Sequence, residues 1–260
     1  MEISKNTILI TGGTSGFGLE FACQLLNLDN TVIITGRNQS KLDEVKKHFP
    51  KVHVFKSDVS DPKAIIQLYE EVVKQFPDLN ILINNAGEMR KINLHDTSID
   101  LEDITREIDI NLSGPIRMVH QFLPHLKTKK TAAILNVTSA LVLVPFPTSP
   151  IYGATKSGLR SYTRSLRVQL KYTSVKVFEL IAPGANTPLI DKFTDDLDSK
   201  YLMQPDKLVG VAIKGMQSGK FEIYPGISSV VRIMSRLAPN LIFNQLAKNV
   251  TAAFLGSKSI

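Results

Sequence analysis

The chain of 260 residues contains 43% hydrophobic and 21% charged residues, which excludes a disordered, collagen-like or coiled-coil protein and allows one large domain or two small ones. Its single cysteine, Cys23, excludes a disulfide framework and a cysteine-based metal site. The formal net charge is +7, but six basic residues and one acidic residue within 214–260 carry +5 of it, so the basic character belongs to the C-terminal segment and does not indicate a general nucleic-acid-binding surface.

Short β-branched runs alternate along the chain with longer segments of helical periodicity. The predicted strands are residues 7–11, 31–35, 52–55, 80–84, 133–138, 175–181 and 221–224. The predicted helices are residues 17–28, 39–48, 62–76, 101–127, 150–172 and 205–218. The strand runs are continuously apolar, which is typical of a sheet covered by helices on both faces. Residues 1–225 are therefore predicted to form one doubly wound α/β domain with a parallel sheet of about seven strands.

Residues 226–260 are predicted to form an amphipathic helical extension. Its first helix would carry an apolar face of Ile227, Val230, Val231, Met234 and Leu237. After a break at Pro239-Asn240, a second helix would carry an apolar face of Ile242, Phe243, Leu246, Val250 and Phe254. Two placements are compatible with this pattern. The helices fold back on the body or on a partner subunit, where they roof a substrate pocket, or they lie on an anionic membrane surface.

We expect a cytoplasmic protein without a membrane span or a metal site. The apolar run near the N-terminus meets glycines after five residues, which is too short for a signal-peptide core. The longest apolar stretch, residues 132–147, is interrupted by polar residues and two prolines. The five histidines show no metal-ligand spacing.

A glycine-rich loop, T-G-G-T-S-G-F-G, directly follows the first predicted strand and precedes a helix. Glycines permit a tight turn there and let the backbone approach a pyrophosphate at the helix N-terminus. The spacing T-G-x-x-x-G-x-G resembles that of the short-chain dehydrogenase/reductase family.

The resemblance continues in the correct order over about residues 7–190. Asp58 matches the aspartate of the family that contacts adenine, and residues 84–87 read N-N-A-G, which supports the central sheet after the fourth strand. Asn111 lies in the helix that follows. Ser139 and the segment from Tyr152 to Lys156 reproduce S-x12-Y-x3-K.

The resemblance implies a Rossmann-type fold and an NAD(P)-dependent oxidoreductase that interconverts a carbonyl and an alcohol. Tyr152 would be the acid/base, Ser139 would orient the substrate, Lys156 would hold the nicotinamide ribose, and Asn111 would complete a proton relay through water. Tyr152 and Lys156 lie four residues apart on one helix face, and an adjacent ammonium is expected to lower the pKa of a phenol. A nucleotide-binding sensor without turnover is the alternative.

The same resemblance places the cofactor contacts along the chain. They are Gly12, Thr14, Ser15, Gly16, Phe17, Gly18, Arg37, Asp58, Val59, Asn85, Ala86, Gly87, Tyr152, Lys156, Pro183, Gly184 and Thr187. The last three belong to a weaker match with the family pattern P-G-x-x-x-T. Either that pattern is one residue shorter here, or Ala182 takes the place of its proline.

Arg37 favours NADP(H) over NAD(H). No carboxylate stands at the end of the second predicted strand, where one would bind the adenosine ribose, and Arg37 follows directly. A guanidinium can hold a 2′-phosphate through two charge-assisted hydrogen bonds. Ser15 stands where some NADP-preferring members of the family carry a second basic residue, and a solvated surface arginine is the alternative.

The substrate pocket is predicted within residues 88–94, 141–149 and 188–204. The apolar sequence of residues 141–147 favours a small to medium apolar substrate, although a loop that packs on the core would look the same. By resemblance, the long helices pair across a homodimer or homotetramer interface. Leu159, Leu166 and Leu170 are candidates for its apolar seam.

Overall fold

Seven strands form one parallel sheet in the computed structural model, which describes residues 1–193 and 202–254, except for the side chains of residues 192, 245 and 248–254. They are β1 (Thr7–Thr11), β2 (Thr31–Gly36), β3 (His53–Lys56), β4 (Leu79–Asn84), β5 (Ala132–Ser139), β6 (Val175–Ala182) and β7 (Glu222–Ile223). The spatial order is β3-β2-β1-β4-β5-β6-β7, and every pairing is parallel. The predicted fold class, a Rossmann-type doubly wound sheet, is confirmed.

Helices cover both faces of this sheet. They are α1 (Gly16–Leu26), α2 (Gln39–His48), α3 (Pro62–Gln75), α4 (Leu101–Ile108), α5 (Gly114–Lys127), α6 (Pro150–Gln169), α7 (Pro205–Gln217), α8 (Ser228–Leu237) and α9 (Pro239–Phe254). None of the helices in the described part of the chain is long and apolar enough to cross a bilayer.

The continuous apolar runs of the strands are explained by a core on each face. Along β1, Ile8 and Ile10 belong to the cluster that packs with α1, α2 and α7. Leu9, between them, belongs to the cluster that packs with α3, α5 and α6. Because successive side chains of a strand point to opposite faces, both sets must be apolar when both faces are covered.

The strand order reverses its direction at β1, and this reversal positions the site. β1 pairs with β2 on one side and with β4 on the other, with Ile10 opposite Ile34 and Ile83. The loops that leave β1 and β4 therefore diverge at their carboxyl ends. Such a switch point opens the crevice in which doubly wound sheets bind ligands.

The single helix predicted for residues 101–127 is wrong. The structure contains α4, a π-helical turn at Asp109–Ser113, and then α5. Pro115 has no N–H to donate to the carbonyl of Asn111, four residues earlier, so the α-helical ladder is interrupted. The Gly114 N–H bonds instead to the carbonyl of Asp109, five residues earlier. Single π turns of this kind are frequent at functional sites.

The predicted interface seam on α6 is also wrong. Leu159 and Leu166, together with Leu170 just after the helix, are buried in the chain itself. Their periodicity marked the face of α6 that packs on its own sheet.

The tail contains two helices as predicted, but the apolar face assigned to the first one is not buried as a unit. Val230 and Leu237 are exposed, whereas Val231 and Met234 are half-buried. Of the second predicted face, the side chains of Val250 and Phe254 lie outside the described residues. The division of the chain at residue 225 stays a prediction.

Gly18→Ala is expected to destabilise the protein. A Cβ atom at this buried position of α1 would lie 2.2 Å from the carbonyl oxygen of Gly12. Overpacking of this kind costs about 1–3 kcal/mol, and urea unfolding measures the loss.

Gly153→Ala on α6 is the matched control, because no atom lies within 4 Å of a Cβ built there. It is expected to raise the free energy of unfolding by roughly 0.5–1 kcal/mol, the helix preference of alanine over glycine. Equal effects of the two variants would contradict the steric explanation.

Candidate active site

A cavity of about 430 Å³ opens at the carboxyl ends of the central strands. It extends from the glycine loop that follows β1 to the side chain of Tyr152 on α6. Most residues predicted as cofactor contacts or catalytic groups line it. They are Gly12, Thr14, Ser15, Gly16, Phe17, Arg37, Asp58, Val59, Asn85, Ala86, Gly87, Ser139, Tyr152, Lys156, Pro183, Gly184 and Thr187.

The glycine loop is held against the residues that follow β4. The Thr11 hydroxyl oxygen accepts from the backbone N–H groups of Asn85 and Ala86, each at 3.0 Å. The Asn85 side chain donates in return to the carbonyl of Gly12 at 3.1 Å. Gly12 has a φ of +67°, and a Cβ atom there would lie 2.8 Å from the Cα of Ala86. Glycine is therefore required at this position by both conformation and space.

The first turn of α1 forms one wall of the cavity with free backbone donors. The Ser15 side chain does not cap the helix, and the first turn contains no acidic residue. The positive end of the helix dipole is thus available to an anion. Thr187, from the segment after β6, lies next to this first turn. A Cβ atom built at Gly16 would be 3.4 Å from the Thr187 side chain.

The end of β2 presents one charged group to the cavity. Arg37 is exposed and makes no ion pair with any other described side chain. Asp58, after β3, accepts from the N–H and the hydroxyl of Ser60 at 2.9 and 2.7 Å, and these bonds fix its carboxylate at the rim. Val59 is buried beside it.

Ser139, Tyr152 and Lys156 converge on the opposite wall. Tyr152 and Lys156 lie on one face of α6, and both are almost completely buried. The Lys156 ammonium donates to the carbonyl of Val137 at 3.0 Å and lies 5.6 Å from the centre of the Tyr152 ring. Ser139 ends β5, and its hydroxyl accepts from the Leu141 N–H at 3.2 Å.

Burial controls the protonation of both titratable groups on this wall. It raises the pKa of Tyr152 to about 12, although a hydrogen bond with Ser139 lowers it. Burial also lowers the pKa of Lys156 to about 8. The expected lowering of the tyrosine pKa by the adjacent ammonium is therefore not found, and loss of hydration has the largest effect on this phenol. At neutral pH Tyr152 is a protonated acid beside a protonated lysine.

Two of the predicted residues do not line the cavity. Gly18 lies beneath the loop, where it allows α1 to approach Gly12 and Asn85. Asn111 is completely buried in the π turn, and its side chain accepts from the N–H of Glu88 at 2.9 Å and donates to its carbonyl at 2.8 Å. A Cβ atom at Gly87 would lie 3.2 Å from Asn111 Oδ1 and 3.5 Å from Lys156 Nζ, so both side chains lie beside this glycine.

The far end of the cavity is apolar. Met89, Leu141, Phe146 and Leu189 come from the three segments in which the substrate pocket was predicted; residues 194–201 of the third segment lie outside the described residues. Leu246 of α9 also lines this end and packs against the buried cluster of Met89, Phe146, Tyr152 and Phe193.

Ile110 and Glu107 are among the residues of the site that the sequence did not predict. Ile110 lines the cavity from the π turn, whose existence helical periodicity did not show. Glu107 is completely buried and acts on the pKa of Tyr152. Glu107 lies four residues before Asn111, so the helical periodicity of the sequence places both on one face. This spacing is the sequence feature that could have identified Glu107.

The residues present fit a nicotinamide dinucleotide. Gly12 leaves no room for a side chain, the first turn of α1 offers uncapped N–H groups, and Arg37 and Asp58 stand at the end of β2 and after β3. These features suit a pyrophosphate and an adenosine moiety. The remaining cavity leads to Tyr152, where a nicotinamide ring and a substrate would meet.

Comparisons with known proteins agree with this geometry. The family model described as short chain dehydrogenase matches residues 6–198. The chain is 37% identical over 247 residues to the uncharacterized oxidoreductase DltE of Bacillus subtilis, which covers 95% of this chain and 98% of that protein.

Two solved structures share the fold. A short chain dehydrogenase from Burkholderia cenocepacia in complex with NADP has a TM-score of 0.82 at 22% identity, over 95% of this chain and 99% of that one. A 3-ketoacyl-(acyl-carrier-protein) reductase from Brucella melitensis complexed with NADH has a TM-score of 0.77 at 26% identity, over 85% and 95% of the respective chains.

Lys156→Met is expected to change how stability depends on pH. The folded pKa of Lys156, about 8, lies below the unfolded value of 10.5, so the unfolded chain binds more protons between these values. The wild type should therefore gain about 2 kcal/mol relative to the variant between pH 7 and pH 9.5. Urea unfolding of both proteins at the two pH values measures this gain, and a constant difference would show that the pKa is not lowered.

Proposed function

The chain belongs to the short chain dehydrogenase family, whose members are NAD(P)-dependent oxidoreductases, and from this premise we propose that it transfers a hydride between NADP(H) and a carbonyl or alcohol group of a small to medium apolar substrate. The observation that carries the proposal is the convergence of Ser139, Tyr152 and Lys156 between the glycine loop and the apolar end of one cavity.

Tyr152 is proposed as the acid that protonates the substrate oxygen. When bound, the nicotinamide supplies the hydride. With a pKa of about 12, the Tyr152 hydroxyl is protonated at neutral pH and can donate to a carbonyl oxygen. The Ser139 hydroxyl orients the same oxygen, and burial of Tyr152 strengthens its hydrogen bond to that oxygen.

Lys156 and Asn111 are proposed to support this proton transfer. The Lys156 ammonium holds the nicotinamide ribose and stabilises negative charge on the Tyr152 oxygen after the proton has left. Asn111 Oδ1 and Lys156 Nζ both lie beside Gly87, and this placement supports a relay that returns a proton through water.

Arg37 supports a preference for NADP(H). Arg37 directly follows β2 and lines the cavity, and its guanidinium is not engaged by a described carboxylate. A 2′-phosphate carries a charge of about −1.5 to −2, which matches this group. The structures of similar fold include complexes with NADP and with NADH, so the preference rests on Arg37 itself.

The apolar end of the cavity supports an apolar substrate. Met89, Leu141, Phe146 and Leu189 form its walls, and Leu246 of α9 closes it. This contact supports the placement of the tail as a roof over the pocket. Burial of a hydrocarbon group against these walls contributes about 0.8 kcal/mol per methylene.

A homodimer or homotetramer is proposed as the assembled form. Val168 of α6 and Tyr172, which follows the helix, are 73% and 92% exposed, and we propose them as candidates for a subunit contact. The cytoplasmic location and a membrane contact of the tail stay predictions.

Tyr152→Phe tests the proposed reaction. The variant loses only the proton donor, so we expect NADPH binding and folding to be kept while turnover falls more than ~100-fold. The measurement is NADPH oxidation with a panel of aldehydes and ketones of increasing apolar length. Tyr162→Phe removes a hydroxyl from the same helix away from the cavity wall and should leave turnover unchanged. NADPH binding by the wild type without turnover of any panel member would favour the sensor.

Arg37→Asp tests the cofactor preference. Replacement of a phosphate partner by a repulsive charge should weaken NADPH binding about 10- to 100-fold and leave NADH binding nearly unchanged. Titration of both nucleotides by calorimetry measures the two effects. Lys41→Asp makes the same change of charge on α2 outside the cavity wall. The preference would be rejected if wild type bound both nucleotides equally.

A further inference from the structure

The segment of residues 87–92 forms one wall of the candidate active site. It follows β4 and begins at Gly87. The side chain of Met89 lines the cavity and packs against Tyr152. The side chains on either side of it, Glu88 and Arg90, are instead bound to residues of α4.

Arg90 is joined to α4 through a buried carboxylate. Its backbone N–H donates to Glu107 Oε1 at 3.2 Å, and its guanidinium Nε donates to Glu107 Oε2 at 3.4 Å. Asp103 Oδ2 lies 2.6 Å from Nη1 of the same guanidinium. Glu107 is 0% exposed, and a charge so buried must be paired and hydrogen-bonded. Arg90 and Glu107 therefore form one buried unit.

The same arginine is joined to the start of α6 through its carbonyl. The Ser149 hydroxyl donates to Arg90 O at 2.8 Å, and the N–H of Ile92 donates to Thr148 O at 3.0 Å. Ser149 directly precedes α6, and Tyr152 follows three residues later. A chain of hydrogen bonds thus runs from Glu107 through Arg90 to the first turn of the helix that carries Tyr152.

We propose that Glu107 and Arg90 are positioning residues for Tyr152. Their buried ion pair fixes residues 87–92 between α4 and the start of α6, and this sets where the phenol stands in the cavity. The inference rests on the proposed function, in which Tyr152 is the proton donor.

Stability alone does not account for this pair. A buried ion pair is commonly no more stable than apolar side chains of the same volume. The outer pairs of the same network, which join Arg106 to Glu88 and to Asp103, are partly exposed and contribute little. The pair of Arg90 and Glu107 differs from these outer pairs, because Glu107 also bonds to the backbone of Arg90. That backbone directly follows Met89 and accepts the hydrogen bond from Ser149.

The charge of Glu107 also acts on the proton of Tyr152. Burial is the main cause that raises the pKa of Tyr152, and the negative charge of Glu107 raises it further. Burial likewise raises the pKa of Glu107, while Arg90 lowers it. The other charged groups around these residues are Lys156 on α6, Glu88 on the segment after β4, and Asp103 and Arg106 on α4.

Two variants separate position from charge. Glu107→Gln keeps an oxygen that accepts from the Arg90 N–H but removes the charge. The double variant Glu107→Met/Arg90→Met replaces the pair by apolar side chains of similar length. Arg106→Gln, which breaks only the outer pairs, is the matched control.

NADPH oxidation with the best carbonyl of the panel is the first measurement. We expect the double variant to lose roughly tenfold or more in kcat, with the Kd for NADPH within about twofold of wild type. Glu107→Gln keeps an acceptor for the Arg90 N–H, so it should lose less kcat than the double variant. Arg106→Gln should match the wild type. A double variant with wild-type kcat, or with a kcat no lower than that of Glu107→Gln, overturns the proposal.

Hydrogen exchange distinguishes failure of this proposal from failure of the proposed function. If the wild type reduces no carbonyl, the proposed function fails. Amide exchange in residues 88–92 and 150–156 still tests whether the pair of Glu107 and Arg90 fixes these two segments. Exchange there should be about tenfold faster in the double variant and unchanged in Arg106→Gln. Unchanged exchange in both segments of the double variant overturns the proposal. If the double variant does not fold, Glu107→Met alone decides the question, because Arg90 then keeps its pair with Asp103 while its N–H loses the Glu107 acceptor. Wild-type kcat and unchanged amide exchange in that variant overturn the proposal.

Discussion

The close contact between the glycine loop and the end of β4 is the constraint on which the site depends. The Thr11 hydroxyl accepts two backbone N–H groups from the neighbouring strand end, and Gly12 lies against Ala86 with no space for a side chain. Gly18 brings α1 down onto the same point. The contact joins the two halves of the sheet where its strand order reverses, so the first turn of α1 and the residues after β4 face one cavity.

Buried polar side chains of β4 and β5 hold α6, which forms the cavity wall opposite the glycine loop. Asn84 donates to Asn136 at 2.8 Å, and Asn136 donates to Thr163 of α6 at 2.8 Å, which ties the centre of the sheet to the helix that carries Tyr152 and Lys156. In such surroundings hydration is lost and each titratable group moves toward its neutral form. Tyr152 becomes a weaker acid and the Lys156 amine a weaker base. At neutral pH the Tyr152 phenol and the Lys156 ammonium are both protonated.

The region beyond the family match completes the cavity. Residues 6–198 match the family model, whereas Leu246 belongs to α9 and packs against Phe146 and Phe193 at the apolar end. The residues that line the cavity around the glycine loop thus come from the part of the chain that carries the family motifs. The apolar end is completed by Leu246, which lies outside the residues that the family model matches.

The sequence by itself determined the strands, the parallel sheet and the residues that line the nucleotide end, because continuous apolar runs and fixed glycine spacings are local properties of the chain. It did not determine which side of a helix is covered. Leu159 and Leu166 looked like an interface seam but pack on their own sheet, and Val230 looked buried but is exposed. Periodicity identifies an apolar face and not the neighbour that covers it. The π turn at Asn111, the pairing of Arg90 with Glu107 and the pKa of Tyr152 were decided by the tertiary structure, since each depends on burial and on contacts between segments that are distant along the chain.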